Sequence, residues 1–446
     1  MNKLKKKIKH LKNDFDLVEL IKGSFTSFLG KILGMVFGYI AGIFIANYYG
    51  AEELGFYSLC ITVLSIAVLV PKFGFDSSLI KILNDVLIKG NKQNFVSVLK
   101  RSSIFSLLLS IIATIVLFFS SDYIATNFFK NPDLKNPLIA TSFAIIPTTL
   151  LVIASGMYQA LKKTFQHMLF KTALINVGFV IFLIVNYYLL KRYSNIMILY
   201  CITAYLVLII AIVCVVLRVN KVSFKNNRIF NYKSWDIFNV SYPMLFSNSF
   251  AILLGWINVL LLGYFITESE VGIYDSTEKL AALSNLALIA INSIAAPKFA
   301  EAHSKNNIEH LKTVMQKSTK MIFFITAPLL LVLILFGKKV LSLYGAEFIT
   351  GYWCLVFLCL GRFISSISGS VGYLLQMTGQ QKTFQNVVFL AFIINLILCL
   401  VLIPKYGILG AAVSKCIAII FWNVTLVITI KKRLGFWTFY FPFISK

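Results

Sequence analysis

Apolar runs of about 20 residues recur from one end of this 446-residue chain to the other. Each is long enough to cross the roughly 30 Å hydrocarbon layer of a bilayer as a helix. In lipid every backbone amide and carbonyl must be paired internally, which leaves helices and closed barrels, and runs of this length are helices. Windows of about 19 residues place twelve spans, at 24–48, 56–83, 99–120, 137–159, 168–190, 195–217, 237–264, 272–297, 316–340, 351–378, 383–403 and 408–430. Only 13% of the residues are charged and 59% are hydrophobic, against about 25% charged in soluble domains. One water-soluble core could not hide so much apolar surface. The expected fold is all-α and integral to a membrane.

A net charge of +25 could suggest nucleic acid, but Lys and Arg are confined to short stretches between the apolar runs. Membrane insertion produces that placement, so the expected partners of these stretches are membrane lipids, with no nucleic acid. With helix-end residues counted in the segment they adjoin and the N-terminus inside, inward segments hold 30 basic residues and outward ones seven. Both termini are therefore expected in the cytoplasm. Residues 1–23 are basic, and no signal-peptide cleavage site follows them. They fit a short helix on the cytoplasmic surface.

The seven cysteines (Cys60, Cys201, Cys214, Cys354, Cys359, Cys399 and Cys416) lie in apolar segments without CxxC spacing and read as small core residues. His10, His167, His303 and His310 make no metal spacing and read as solvated. Phosphate-loop and dinucleotide fingerprints are absent, which excludes an ATP-driven pump within this chain. No cofactor, metal or catalytic residue is expected. Short outward loops with scattered carboxylates offer little to a membrane polymerase.

The chain repeats itself. Glu53-Leu54-Gly55-Phe56-Tyr57 returns as Glu270-Val271-Gly272-Ile273-Tyr274, 217 positions on, and Gln159 and Gln376 share that spacing. Thr164-Phe165-Gln166 returns as Thr383-Phe384-Gln385, and Ile175-Asn176 as Ile394-Asn395, 219 positions on. Residues 24–222 and 237–446 are thus two six-helix bundles joined by a cytoplasmic linker, 223–236. Six spans per half is an even number, so the halves insert alike. Parallel repeats of this kind place a substrate site between the halves.

Several segments resemble polysaccharide and lipid-linked oligosaccharide flippases: GAEELGFYSL after span one, KFGFDSSLIKIL in span two and SYPMLFSNSF opening span seven. So do EVGIYDSTEKLAALSN, LSLYGAEF, GYLLQMTGQQKTF and IPKYGILGAAVSK, in the family's order and over nearly the whole chain. That family belongs to the multidrug/oligosaccharidyl-lipid/polysaccharide exporter superfamily. The resemblance implies a V-shaped pair of bundles, like that of the multidrug exporters, alternating between inward- and outward-facing states. It implies a bacterial inner-membrane protein moving undecaprenyl-pyrophosphate-linked repeat units of O-antigen or capsule, alongside other polysaccharide-assembly proteins. Where relatives often carry an aspartate in span seven, this chain has Asn258, which removes one coupling carboxylate.

Charges inside spans are costly and mark cavities or partners. Arg362 sits near the middle of span ten, followed at helical spacing by Ser365, Ser366, Gly369, Ser370, Tyr373 and Gln376. A guanidinium can hold a phosphate with a fork of donors; the alternative is an arginine buried against backbone carbonyls that ties two helices together. Lys31 lies two turns inside span one and could snorkel to the surface. Lys72 with Asp76, and Asp275 with Lys279, are four residues apart and could pair on one helix face. Glu278, Asn285 and Asn292 recur every seven residues along span eight. Glu278 is the natural carboxylate for ion coupling, with Asp76 and Asp275 as further candidates. Lys415 in span twelve could meet headgroups or the cavity. Gly30, Gly34, Gly38 and Gly42 form a ribbon for close helix packing.

The expected cargo is anionic, because basic residues outnumber carboxylates inside the spans. The alternatives are a multidrug antiporter of the same superfamily, which would prefer an acidic cavity, and a membrane-embedded polymerase or ligase.

Overall fold

A computed structural model describes residues 15–189, 195–222 and 234–440. The expected surface helix at the N-terminus and most of the 223–236 linker lie outside these residues. The first half comprises α1 (Phe15–Tyr49), α2 (Ala51–Ala67), α3 (Phe75–Lys89), α4 (Lys92–Tyr123), α5 (Lys135–Ala160), α6 (Thr164–Tyr188) and α7 (Ile196–Val219). The second comprises α8 (Ser234–Phe265), α9 (Glu268–Ala282), α10 (Asn285–Ser304), α11 (Ile308–Leu335), α12 (Tyr352–Ser368), α13 (Val371–Met377) and α14 (Gln381–Leu434).

Most of each of the twelve expected ranges is helical. Among the described residues, nine helices are long and apolar enough to cross a membrane. Three expected spans are broken in their interior, for local reasons, and a fourth, 316–340, bends near its end at Phe336. In span two the chain leaves the helix at Val68 and turns through Phe73 (φ 47°) and Gly74 (φ 73°) before α3. Pro71 in that turn has no amide to donate. Span eight divides at Leu283 and Ser284, where the Ser284 hydroxyl donates to the Ala281 carbonyl at 2.7 Å. In span ten Gly369 (φ 74°) separates α12 from α13. The 54-residue α14 would be about 80 Å long if straight. It contains the last two spans, which meet at Gly407 (φ 54°).

The internal repeat reappears as a pseudo-two-fold axis. At the crossing of α2 and α9 a Cβ on Gly272 would stand 2.6 Å from the Ala51 carbonyl oxygen. A Cβ on Gly55 would meet the Glu268 carbonyl oxygen in the same way. Residues 51 and 55 are 217 positions from 268 and 272, so each half presents the same surface to the other, as an isologous contact requires. Ser58 Oγ donates to Asp275 Oδ2 at 2.6 Å across the same crossing, again between positions 217 apart. On the opposite side α3 packs on α8. A Cβ on Gly74 would come within 2.5 Å of the Ser241 carbonyl oxygen, and the hydroxyls of Ser78 and Ser241 are 2.6 Å apart. Phe73 and Phe105 pack edge-on and tilted against Phe238 there. The repeated Ile-Asn motif has one job in both halves. Asn176 donates to the Gly34 carbonyl at 2.7 Å and Asn395 to the Asn258 side chain at 2.7 Å, tying the fifth span of each half to its first.

Large apolar side chains cover the outside, Phe119 being 78% exposed and Leu189 74%. Such a surface belongs in lipid, and the protein is a multi-pass membrane protein. All seven cysteines are free. His167, expected to be solvated, is instead buried, with Nδ1 2.9 Å from the Ser155 carbonyl oxygen. A carbonyl only accepts, so that nitrogen carries the proton.

Candidate functional site

Helix α9 crosses the middle of the molecule with unusually polar composition. Thr267 and Glu270 sit at its start, their side chains 3.2 Å apart, and acidic residues there oppose the helix dipole favourably. One turn further in, the spacing i, i+3, i+4 presents Asp275, Glu278 and Lys279.

Glu278 faces the second half. It pairs with Lys415, and Arg362 approaches the same oxygen at 3.8 Å. Lys415, only 5% exposed, also donates to the Gly255 carbonyl at 3.3 Å. Arg362 donates to Asn285 Oδ1 at 3.3 Å, while its Nε is buried without a hydrogen-bond partner. Arg362, Asn285, Ser365 and Ser366 line a gap of about 10 Å³. One carboxylate thus serves two cations in a region of low dielectric, a net positive cluster held by α9, α12 and α14.

Asp275 and Lys279 face the first half. They pair at 2.6 Å, Ser58 donates to the same Asp275 oxygen, and the Tyr39 hydroxyl donates to the Lys279 carbonyl. Here a cavity of about 450 Å³ opens between α1, α6 and α9. Its wall includes Lys31, Tyr39, Lys171, Thr172, Asn176 and Lys279, and no carboxylate. Neither Lys31 nor Lys171 has an ion-pair partner among the described residues. The glycine ribbon makes this wall possible. Cβ atoms on Gly30, Gly34 and Gly38 would stand 2.8, 2.9 and 3.2 Å from Met168, Thr172 and Asn176, so α1 lies flat on α6. Gly42 instead looks toward Tyr344, at 3.4 Å.

The expected site residues divide accordingly. Lys31 and Lys279 line the cavity. Arg362, Asn285, Ser366, Lys415 and Glu278 form the buried network beside it. Lys72 and Asp76 pair at 3.1 Å outside the cavity wall, with Lys72 only 6% exposed. The single polar stripe expected from Arg362 to Gln376 is cut at Gly369, because a positive φ cannot continue a helix. Tyr373 and Gln376 follow that break on α13, Tyr373 exposed and neither part of the cavity wall. Asn258 is fully buried, donating to the Ala411 carbonyl at 2.9 Å and accepting from Asn395. It is a packing residue of the second half.

Sequence reasoning missed Lys171, because the expected fifth span began at 168 and the lysine was counted with the cytoplasmic segment. The helix begins at Thr164, which puts Lys171 two turns inside. Thr164-Phe165-Gln166, a repeated motif, was the available signal. Among the described residues no group of side chains could hold a metal ion.

The fold and the site together define a helical membrane protein of two repeated halves enclosing a cationic cavity. The chain belongs to the polysaccharide biosynthesis protein family, whose profile matches residues 20–303. It is similar to the probable low-salt glycan biosynthesis flippase Agl15 of Haloferax volcanii, 26% identical over 200 residues, 44% of this chain and 41% of that protein. The chain therefore matches about two fifths of the length of that relative. In fold it is similar to the Lipid II flippase MurJ in an inward closed conformation, with a TM-score of 0.74, 16% identity and coverage of 92% of this chain and 87% of that one. It is also similar to an inward-facing multidrug resistance MATE family transporter of the MOP superfamily, with a TM-score of 0.71, 13% identity and coverage of 92% and 98%.

Proposed function

We propose that the protein is a flippase that moves a lipid-linked oligosaccharide from the cytoplasmic to the outer leaflet, with the undecaprenyl pyrophosphate of an O-antigen or capsule repeat unit as its anionic handle. The observation that carries this reading is the cavity wall, with Lys31, Lys171 and Lys279 and no carboxylate. A pyrophosphate brings the counter-charge that Lys31 and Lys171 lack, Lys279 being already paired with Asp275, and a volume of about 450 Å³ is in the range of ligand pockets generally. The sugars follow the headgroup and the polyprenyl tail stays in lipid. Family membership and the names of the matched flippases support the same class of cargo.

The halves, 24–222 and 237–446, are the moving bodies of an alternating-access cycle, joined by 223–236, with both termini in the cytoplasm. The α2–α9 crossing closes the outer side in this state. A multidrug antiporter would hold organic cations, which a wall of three lysines repels. A polymerase or ligase would need reacting groups that this wall does not contain.

The test is reconstitution into liposomes with a fluorescent lipid-linked glycan and an impermeant quencher. Lys31→Ala with Lys171→Ala should insert normally and lose most of the flipping rate. Wild-type flipping by that double variant would end the proposal. Efflux of an organic cation without glycan flipping would favour the antiporter.

A further inference from the structure

We infer that a second cationic pocket, on the outer wall of the first half, holds the phosphate-bearing headgroup of an anionic phospholipid. The pocket has a volume of about 270 Å³ and lies where the end of α5, the start of α6 and the end of α7 meet. Tyr158, Lys163, Gln166, Cys214, Arg218 and Lys221 line it, and no carboxylate does. None of these residues belongs to the wall of the transport cavity.

Three features point to this occupant. Lys163, Arg218 and Lys221 form no ion pair among the described residues, so three positive charges converge without a counter-charge. The Arg218 Nε is buried and has no hydrogen-bond partner. A desolvated guanidinium nitrogen without an acceptor is costly, and phosphate oxygens match its planar fork. Finally, the pocket continues into an apolar strip. Val213, Val216 and Leu217, in the last turns of α7, are 52%, 56% and 58% exposed, giving an acyl chain a surface directly beneath the headgroup. The pocket lies at the membrane face where the basic residues concentrate, and basic pockets between helices at that face select anionic headgroups. Inorganic phosphate could satisfy the same nitrogens, but it has no use for the apolar strip.

The experiment counts lipids retained by the purified full-length protein in native mass spectrometry, after titration with phosphatidylglycerol, phosphatidylcholine or inorganic phosphate. Lys163→Ala, Arg218→Ala and Lys221→Ala combined should lose one phosphatidylglycerol adduct, its affinity falling about tenfold or more, a difference of about 1.4 kcal/mol. Arg218→Gln alone should lose part of it, which keeps the test decisive where the triple variant folds poorly. Lys312→Ala, an exposed lysine outside the pocket, should retain the wild-type count. Equal phosphatidylglycerol retention by the wild type and Arg218→Gln would overturn the proposal, as would equal retention of phosphatidylcholine. Displacement of the lipid by equimolar inorganic phosphate would overturn the lipid assignment and leave a free-anion site.

Discussion

Replacing Gly272 by alanine places a Cβ 2.6 Å from the Ala51 carbonyl oxygen and 3.0 Å from the Gly55 amide nitrogen. Both are backbone atoms, so no rotamer change relieves the clash. To reach an ordinary contact α2 and α9 must separate by about 1 Å. Overpacking of this kind costs about 1–3 kcal/mol, against a helix-propensity gain of up to about 1 kcal/mol for glycine to alanine. The net loss, about 1–2 kcal/mol, corresponds to a melting point lower by a few degrees. Gly255 supplies the control, since a Cβ there meets nothing within 4 Å and only the propensity gain remains. The assay is thermal unfolding of the purified variants in one detergent. Spin labels at Glu52→Cys and Thr267→Cys, in a background lacking native cysteines, report the separation of the halves at this crossing. Gly255→Ala should melt at or above the wild type and leave the distance unchanged. Gly272→Ala and Gly55→Ala should melt lower and lengthen it. Their combination should cost less than the sum, because both disturb one contact. Equal melting points for Gly272→Ala and Gly255→Ala would refute the claim that this crossing is backbone-limited.

Glu278→Gln removes the counter-charge of Lys415 and Arg362. Breaking a buried pair costs roughly 3–5 kcal/mol, and the double variant with Lys415→Met should recover part of the lost melting temperature; no recovery would mean that the pair is not the source of the loss. Asn258→Asp sets a carboxylate against the Ala411 carbonyl oxygen in a fully buried position, so it should lower the melting point more than Asn258→Ala. A coupling carboxylate regained there without loss of stability would contradict the packing role. Glu53, in the first turn of α2 and ahead of the expected second span, has its carboxyl pushed up to about 7 by burial and by neighbouring Glu52. A raised carboxyl stabilises the fold in its protonated form. That stability is complete below the ordinary carboxylate range and fades as pH rises through about 7. Melting temperature should therefore fall between pH 5 and 8, and Glu53→Gln should flatten the fall.

The positions of the spans and the repeat were legible because both are carried by local patterns: hydropathy over about 19 residues and an offset near 217. What the repeat meant at Gly55 and Gly272 was not legible. A pair of glycines reads as packing anywhere, and only their facing backbones reveal the axis. The breaks at Gly74 and Gly369 were hidden for a related reason, since transmembrane helices tolerate glycine and hydropathy does not register φ. Arg362 and Glu278 were singled out as charges inside spans. Their partnership spans 84 positions and that of Glu278 with Lys415 spans 137, and nothing in a single sequence encodes long-range pairing. Lys171 was lost to a boundary error of four residues, about one helical turn.

The repeat breaks down where the charges are. Gly55 and Tyr57 have counterparts in Gly272 and Tyr274, so the contact between the halves is symmetric. The counterparts of Asp275, Glu278 and Lys279, 217 positions earlier, are Ser58, Ile61 and Thr62. Lys171 corresponds to Leu390 at the 219 spacing of its span. The seam about which two bodies can rock has therefore kept its two-fold character, while the ionic chemistry lies on one copy of each element. A symmetric cavity would offer an anion two equivalent holds, one per half. This cavity offers one, built from α1 and α6 of the first half and the single helix α9 of the second. That helix also carries Glu278, tied to α12 and α14. In the proposed cycle, any motion of the second half's core then reaches Lys279 through the rigid turn from Asp275 to Lys279. In that cycle the proposed cargo site is coupled to the half that does not otherwise surround it.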